Sequence, residues 1–183
     1  MPDYRRHRVP GGCYFFTLAL ADRRSDLLLR EIAALRAAVA RTRRLHPFRI
    51  DAWVVLGDHL HAVWTLPEGD AAYAARWALI KRWFSAAVPP GEDRSASRAA
   101  KGERGIWQRR FWEHTVRDAK DFARHVDYIH FNPVKHGVAV SAGDWPYSSF
   151  RQAVTRGFYP AGWVHQGEDA GDFGEREAAG EKS

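Results

Sequence analysis

The chain has 183 residues, 45% of them hydrophobic, which suits one globular domain with a core of its own. Its single cysteine, Cys13, excludes an internal disulfide and fits a reducing cytosol, and no apolar segment is long enough to span a bilayer. The net charge is +6, but residues 166–183 carry −4, so residues 1–165 carry +10. We therefore expect one basic domain over 1–165 and an acidic, disordered tail over 166–183. Such a basic surface favours a polyanionic partner, although a soluble basic enzyme can have the same balance.

The first third of the chain predicts a strand, a helix and a β-hairpin, in that order. Residues 12–20 have the composition of a strand, and Ser25 is placed to cap a helix that ends at Pro47. The apolar stripe of that helix consists of Leu28, Ile32, Leu35 and Val39. A second strand is predicted over 48–56, and a tight turn at Gly57-Asp58 leads into a third strand that ends near Leu66.

The middle of the chain predicts another helix and a fourth strand. Asp70 is placed to open a helix that Pro89-Pro90 stops. Its apolar stripe consists of Tyr73, Trp77, Ile80 and Phe84. Residues 89–105 are small and polar, which predicts a mobile loop within the domain, and the aromatic segment 106–116 predicts the fourth strand. The resulting order is that of a ferredoxin-like α+β sandwich, in which two helices cover one face of a four-stranded antiparallel sheet.

A C-terminal helix over 118–132 is expected to cover the other face of this sheet, with Asp118 as its N-cap and Pro133 enforcing its end. Its core stripe is predicted to be Phe122, Val126 and Ile129. At about 100° per residue, Tyr128 lies off that stripe, on a polar face that also carries Asn132 four residues later. This position favours a role for the tyrosine hydroxyl, with an amphipathic tyrosine at the edge of the sheet as the alternative.

Two histidines on the predicted hairpin are the candidate metal ligands. His59 and His61 are two residues apart on a strand, so their side chains project from the same face and can share one metal ion. Two imidazoles are only half of a coordination shell, so a distant segment must supply a third ligand and the reactive group. Two structural histidines remain the alternative, and the register of the hairpin, which the sequence does not fix, decides which face they occupy.

Four separate motifs, in this order, carry a family resemblance. They are GDHLHAVW (57–64), IWQRRFWEH (106–114), DYIHFNPVKHGV (127–138) and DWPYSSF (144–150). Between residues 12 and 163, the chain resembles the single-tyrosine HUH transposases, specifically the REP-associated tyrosine transposase branch. The resemblance implies that His59, His61 and Asn132 bind a divalent metal and that Tyr128 attacks DNA. Many insertion-sequence relatives have Gln at the Asn132 position, and the shorter Asn requires the helix to lie closer to the sheet.

The chemistry of this family explains the residue types. A phenol, whose pKa is about 10 in isolation, is a weak nucleophile at neutral pH, and a metal on a phosphate oxygen offsets this weakness by polarising phosphorus. Two imidazoles and an amide suit Mg²⁺ or Mn²⁺. The resemblance implies a 5′-phosphotyrosine intermediate and a free 3′-OH. It also implies single-stranded DNA hairpins of repetitive extragenic palindromes (REP) as partners, a monomer with a homodimer as the alternative, and a cytoplasmic, nucleoid-associated location.

Basic and aromatic residues are the candidate DNA contacts. The principal ones are Arg82, Arg109, Arg110 and Lys135. Further candidates are Arg76, Lys81 and His136 for phosphates, and Trp107 or Trp112 for stacking on unpaired bases. Each arginine can equally be a solvated surface charge.

Two other functions use the same features. A hairpin-binding protein without catalysis would use the same basic face, and a phosphodiesterase that activates water would cleave DNA without a covalent intermediate.

Overall fold

The computed structural model describes residues 8–91, 96–166 and 173, and these residues contain one antiparallel sheet of four strands. The strands are β1 (Cys13–Ala19), β2 (Arg49–Val55), β3 (His59–Thr65) and β4 (Trp112–Thr115). They lie in the order β2-β3-β1-β4, so β3 and β1 are the central strands. This arrangement confirms the predicted ferredoxin-like α+β sandwich.

Helices cover both faces of the sheet. They are α1 (Leu27–Arg30), α2 (Ile32–Leu45), α3 (Tyr73–Ala87), α4 (Ala96–Ala100), α5 (Ala119–Lys135) and α6 (Phe150–Thr155), with a 3-10 helix at Ala142–Asp144. Helices α2 and α3 lie over one face, where Trp64 of β3 stacks on Trp77 of α3 with ring centroids 3.9 Å apart. Helix α5 packs across β2 and β3 on the other face. Within the described ranges, every helix is too short or too polar to span a bilayer.

Alternation along β3 assigns the histidines to the α5 face. Leu60, Ala62 and Trp64 belong to the apolar core beneath α2 and α3. Side chains that are one residue out of phase with them point the opposite way, so His59 and His61 face α5. The sequence alone did not fix the register of the hairpin. In the observed register, both imidazoles face the helix that carries Tyr128.

The fourth strand is shorter than predicted. The expected strand over 106–116 is reduced to the four residues of β4, although the backbone N–H of Gln108 still donates to the carbonyl of Ala19 at 2.9 Å. Trp107 forms only an isolated bridge with Leu20, and its ring packs on Phe84 of α3 with centroids 5.4 Å apart. The apolar residues before β4 thus complete the core on the α3 side and do not extend the strand.

Pro133 does not end the last long helix, which was predicted to stop at residue 132. Helix α5 continues to Lys135 with the proline inside it. Proline lacks one N–H donor, but the turn stays closed because His136 N–H donates to the Asn132 carbonyl and Val138 N–H donates to the Pro133 carbonyl, both at 3.0 Å. The extra turn carries Lys135 back over the residues that precede the proline.

Smaller differences concern the helix starts and the predicted loop. Ser25 accepts a backbone hydrogen bond at the start of α1, but the predicted first helix is divided at Glu31 into α1 and α2. Asp70, the predicted start of the second helix, accepts a hydrogen bond from the backbone N–H of Ala72, and α3 itself begins at Tyr73. Five residues of the predicted loop 89–105 form α4.

The buried His130 of α5 predicts a loss of stability in acid. Its side chain is 1% exposed, and burial lowers its pKa to about 4, whereas an unfolded histidine has a pKa of about 6.5. Between these values the unfolded chain binds a proton that the folded chain excludes. The free energy of unfolding should therefore fall by up to about 3 kcal/mol as the pH drops from 6.5 to 4.

Urea denaturation at pH 7 and pH 4.5 measures this effect. His130→Gln should reduce the difference in the free energy of unfolding between the two pH values, because Gln does not titrate. If the stability of His130→Gln fell with pH as much as that of the unsubstituted protein, groups other than His130 would cause the loss of stability in acid.

Candidate active site

Strand β3 and helix α5 bring the predicted site residues together. The ring centroids of His59 and His61 are 5.1 Å apart, and the His61 ring is 5.2 Å from that of Tyr128. Asn132 lies one turn after Tyr128 on α5 and is fully buried. The polar face predicted for Tyr128 and Asn132 is therefore not a solvent face, because it is buried against the sheet.

His59 is oriented by the residue that precedes it. Its Nδ1 lies 2.7 Å from Oδ1 of Asp58, whose second carboxylate oxygen pairs with Arg23 at 2.9 Å. Burial raises the pKa of the Asp58 carboxyl, but the hydrogen bond and charge of His59 and the charge of Arg23 outweigh it, so the pKa lies below its ordinary value. Asp58 is thus a carboxylate at neutral pH and accepts the Nδ1 proton. The buried Nε2 of His59 has no hydrogen-bond partner among the described residues.

His61 is oriented by Thr17 on the neighbouring strand β1. The Thr17 hydroxyl donates its single proton to the backbone oxygen of Phe173 at 2.6 Å. It must therefore accept from Nδ1–H of His61, which lies 2.8 Å away. In its neutral form each imidazole therefore carries its proton on Nδ1 and leaves Nε2 as the electron-pair donor, as metal-ligating histidines do. Two Nε2 donors on one face fit the chemistry of a divalent metal ion, and the buried Asn132 is the third ligand predicted from the sequence.

The phenol of Tyr128 is in contact with a lysine. Nζ of Lys135 donates to the Tyr128 hydroxyl oxygen at 3.1 Å and lies 4.6 Å from the ring centroid. The sequence predicted Lys135 as a phosphate contact and did not predict this hydrogen bond. Phe173 packs on the other side, its ring centroid 3.9 Å from that of Tyr128. The rest of the predicted tail, 167–172 and 174–183, lies outside the described residues.

A second cluster with metal-ligand chemistry lies where β4 meets the first turns of α5. Ligand atoms of His114, Asp121 and His125 are within 4.8 Å of one another. Oδ2 of Asp121, however, accepts from His114 Nε2 at 2.8 Å and from Arg117 Nε at 3.1 Å, and His125 Nδ1 donates to the Asp121 carbonyl at 2.7 Å.

The electrostatics of this cluster disfavour a cation. Burial raises the pKa of Asp121, but hydrogen bonds from His114 and Arg117 hold it far below its ordinary value. The Arg117 guanidinium already supplies the positive charge that the carboxylate attracts. We therefore interpret the cluster as a hydrogen-bond network that anchors the start of α5 to β4.

The predicted DNA contacts are divided among several surfaces. Arg82, Arg109 and Arg110 are exposed. Arg82 belongs to α3, across the sheet from Tyr128, and Arg109 pairs with Glu103 at 3.0 Å. Only Lys135 among the four principal candidates contacts Tyr128.

Two of the further DNA-contact candidates are wrong. Arg76 is 3% exposed and pairs with Asp70 at 2.6 Å, so its charge is neutralised inside the domain. Trp107 is 8% exposed and belongs to the apolar core, which leaves no ring face for a nucleotide. Lys81 donates to the Gln108 carbonyl at 2.9 Å.

Relatives of known family identify the group to which this chain belongs. No protein-family model matches the chain. A REP-associated tyrosine transposase of Escherichia coli (strain K12) is 45% identical over 182 residues, covering 100% of this chain and 98% of that protein. The chain belongs to the REP-associated tyrosine transposases. A Haemophilus influenzae relative assigned to the same group is 45% identical over 164 residues, covering 89% of this chain and 93% of the relative.

A solved structure of a REP-associated tyrosine transposase bound to a REP hairpin has the same fold. It superposes with a TM-score of 0.79 at 45% identity and covers 94% of this chain and 98% of that chain. The predicted family is thus confirmed, and the sheet and helices described above are those of a REP-associated tyrosine transposase.

Proposed function

We propose that this transposase cleaves and rejoins single-stranded DNA at REP-type hairpins through a covalent bond to Tyr128. The observation that carries the proposal is the environment of the phenol, which lies 3.1 Å from the Lys135 ammonium and beside the ring of His61. The names of the two relatives and the hairpin in the matching structure support DNA hairpins as the target.

In the proposed reaction, the hydroxyl oxygen of Tyr128 attacks a phosphorus atom of the DNA. The bond from phosphorus to O3′ breaks, so the 5′-phosphate becomes attached to Tyr128 and the upstream strand leaves with a free 3′-OH. The phenol proton passes to solvent, and the departing O3′ takes up a proton. Rejoining is the reverse reaction, in which a 3′-OH attacks the phosphotyrosine.

Each side chain has a defined part in this reaction. Lys135 donates a hydrogen bond to the phenol oxygen and stabilises negative charge there as the proton leaves. Asp58 and Thr17 hold the imidazoles with Nε2 as the electron-pair donor. His59, His61 and Asn132 would hold Mg²⁺ or Mn²⁺. A divalent ion bound there would neutralise a phosphate oxygen and polarise the phosphorus.

The site is built within one chain, which supports a monomer as the active unit. Tyr128 and His61 make a direct ring contact, and both side chains are at most 2% exposed. A second copy is therefore not required to bring the nucleophile to the histidines.

A cleavage assay with two labels tests the proposal. A hairpin with a single-stranded flank is labelled at its 3′ end or its 5′ end and incubated with the protein and Mn²⁺. On a denaturing gel, the 3′-labelled fragment should migrate with the protein and the 5′-labelled fragment should be released. Cleavage without protein-linked label would instead indicate a hydrolytic phosphodiesterase, and binding without cleavage would indicate a hairpin-binding protein.

Lys135→Met is expected to slow adduct formation by about 100-fold, because the phenol oxygen loses its cationic donor. Hairpin binding should change little. Lys135→Arg should retain much of the rate, since a guanidinium also donates, and the exposed Lys101→Met is the charge-matched control. If binding and cleavage fell by the same factor, Lys135 would be only a phosphate contact.

A further inference from the structure

The turn that leads into β3 is held by the connection between β1 and α1. The backbone N–H of Leu20 donates to the Asp58 carbonyl at 2.7 Å, and that of Leu28 donates to the Gly57 carbonyl at 3.1 Å. The two segments also approach each other closely, because a Cβ atom at Gly57 would lie only 3.2 Å from Cα of Asp26. The backbone of Asp58 is therefore fixed from outside the hairpin.

The side chain of Asp58 joins two partners, one through each carboxylate oxygen. Oδ1 lies 2.7 Å from Nδ1 of His59, and Oδ2 lies 2.9 Å from Nε of Arg23, which belongs to the β1–α1 connection. Both members of the ion pair are partly shielded from solvent, with 18% of the Asp58 side chain and 28% of the Arg23 side chain exposed. Because one carboxylate plane serves both contacts, a rotation that breaks the contact with Arg23 also moves the oxygen that faces His59.

The contact with Asp58 decides how His59 presents its ring. A neutral imidazole has one N–H and one electron pair, and the hydrogen bond at one nitrogen selects which nitrogen keeps the proton. Acceptance by Asp58 keeps the proton on Nδ1 and leaves Nε2 as the electron-pair donor. His59 is 2% exposed, and its Nε2 has no hydrogen-bond partner among the described residues. Among these residues, the hydrogen bond that orients the ring therefore comes from the Nδ1 side.

The next residue, Arg24, provides a contrast to Arg23. Its Nε lies 3.4 Å from Oδ1 of Asp22, and its side chain is 93% exposed, so this pair is a solvated surface contact. Arg23 instead meets the carboxylate that contacts His59. Two neighbouring arginines thus have different environments, and Arg23 is coupled to a proposed metal ligand through one carboxylate.

We propose that Arg23 is a positioning residue for the candidate metal site. Through its ion pair with Asp58, it keeps the His59 proton on Nδ1 and leaves Nε2 available to a metal ion. The inference rests on the proposed function in taking His59 as a metal ligand. It goes further by assigning a role in metal binding to a residue outside β3 and α5.

Nuclear magnetic resonance of the imidazole nitrogens tests the proposal without metal or DNA. The full chain is labelled with nitrogen-15 in histidine and measured at pH 9, well above the ordinary histidine pKa of about 6.5, and His59→Gln assigns the His59 signals. The unsubstituted protein should have the His59 proton on Nδ1. In Arg23→Met, a second form with the proton on Nε2 should appear, because the Asp58 carboxylate is no longer held from both sides. Arg23→Lys should restore the Nδ1 form, since an ammonium also pairs with a carboxylate.

Mn²⁺ affinity, measured by electron paramagnetic resonance, gives a second readout that again requires no DNA. Arg23→Met should bind Mn²⁺ about 10-fold more weakly, as expected when a partner that orients a metal-binding imidazole is lost, and Arg23→Lys should recover most of the affinity. Arg24→Met is the charge-matched control and should bind Mn²⁺ like the unsubstituted protein. Arg23→Gln is measured alongside, so that the comparison does not depend on the folding of one variant.

A double-mutant cycle tests whether Arg23 acts through Asp58. Asp58→Ala alone should weaken Mn²⁺ binding at least as much as Arg23→Met does. In the Asp58→Ala background, Arg23→Met should have no further effect, because the carboxylate that connects Arg23 to His59 is then absent.

The proposal is overturned if the His59 proton stays on Nδ1 in both Arg23→Met and Arg23→Gln, or if these variants bind Mn²⁺ like the unsubstituted protein. It is also overturned if Arg24→Met weakens Mn²⁺ binding as much, or if the effects of Arg23→Met and Asp58→Ala add. Because the resonance measurement uses neither metal nor DNA, failure of the Tyr128 chemistry would leave its result intact. Conversely, a negative result here would leave the covalent mechanism untouched.

Discussion

Tyr128→Phe is expected to abolish the covalent protein–DNA adduct while the protein still binds hairpin DNA. The substitution removes one oxygen from a ring that contacts His61 and Phe173, and both ring contacts can persist. Because this oxygen is the proposed nucleophile, adduct formation should fall at least about 10³-fold. Denaturing gels with 3′-labelled DNA measure the adduct, and anisotropy measures binding.

Tyr159→Phe is the matched control for this experiment. Tyr159 is the other tyrosine close to α5, but its hydroxyl donates to Asp127, and burial together with this contact raises its pKa far above the ordinary value. It is therefore a poor nucleophile, and its substitution should leave the adduct in place. An adduct that survives in Tyr128→Phe and disappears in Tyr159→Phe would reverse the assignment.

Metal binding should depend on the β3 histidines and not on the cluster at the start of α5. His59→Asn/His61→Asn should lower the affinity for Mn²⁺ at least about 100-fold, because both proposed imidazole ligands are lost. Electron paramagnetic resonance detects free Mn²⁺ directly, so this readout does not require DNA or activity. A rise in Tm with added Mn²⁺ should disappear in the same variant.

His114→Asn/His125→Asn is the matched control, because it removes two imidazoles from the competing cluster. It should bind Mn²⁺ like the unsubstituted protein, although its Tm should be lower since the hydrogen bonds to Asp121 are lost. If this variant lost Mn²⁺ and the β3 variant retained it, the ion would belong to His114, Asp121 and His125. The proposed role of His59 and His61 would then be wrong.

Local patterns in the sequence predict most of the fold. Apolar steps of three and four predict α2, α3 and α5, and a tight turn between two apolar runs predicts the hairpin. The spacing of His59 and His61 places both on one face in any register. The choice of face is a long-range property, because it depends on the pairing of Thr17 with His61 across β1 and β3.

The partners of the site residues are harder to predict because they depend on tertiary contacts. The predicted end of the helix before Pro133 leaves Lys135 outside α5, whereas the continued turn brings its ammonium to Tyr128. Asp58 follows Gly57 in a predicted tight turn, so its local sequence indicates only a turn residue. Its position next to His59 could still have indicated a carboxylate that orients a metal-binding imidazole. Phe173 lies in an acidic segment without periodicity, so nothing local predicts its contact with Tyr128.

The central position of β3 has a consequence for the proposed cycles of DNA cleavage and rejoining. Strands on both sides hydrogen-bond to its backbone, so the amides around His59 and His61 are shielded from exchange until much of the sheet opens. The proposed nucleophile, Tyr128, lies instead on helix α5, in which Pro133 leaves one backbone hydrogen bond unmade. The two proposed metal ligands on β3 should therefore keep their spacing through the proposed cycles, since a local opening at the end of α5 does not require the sheet to open.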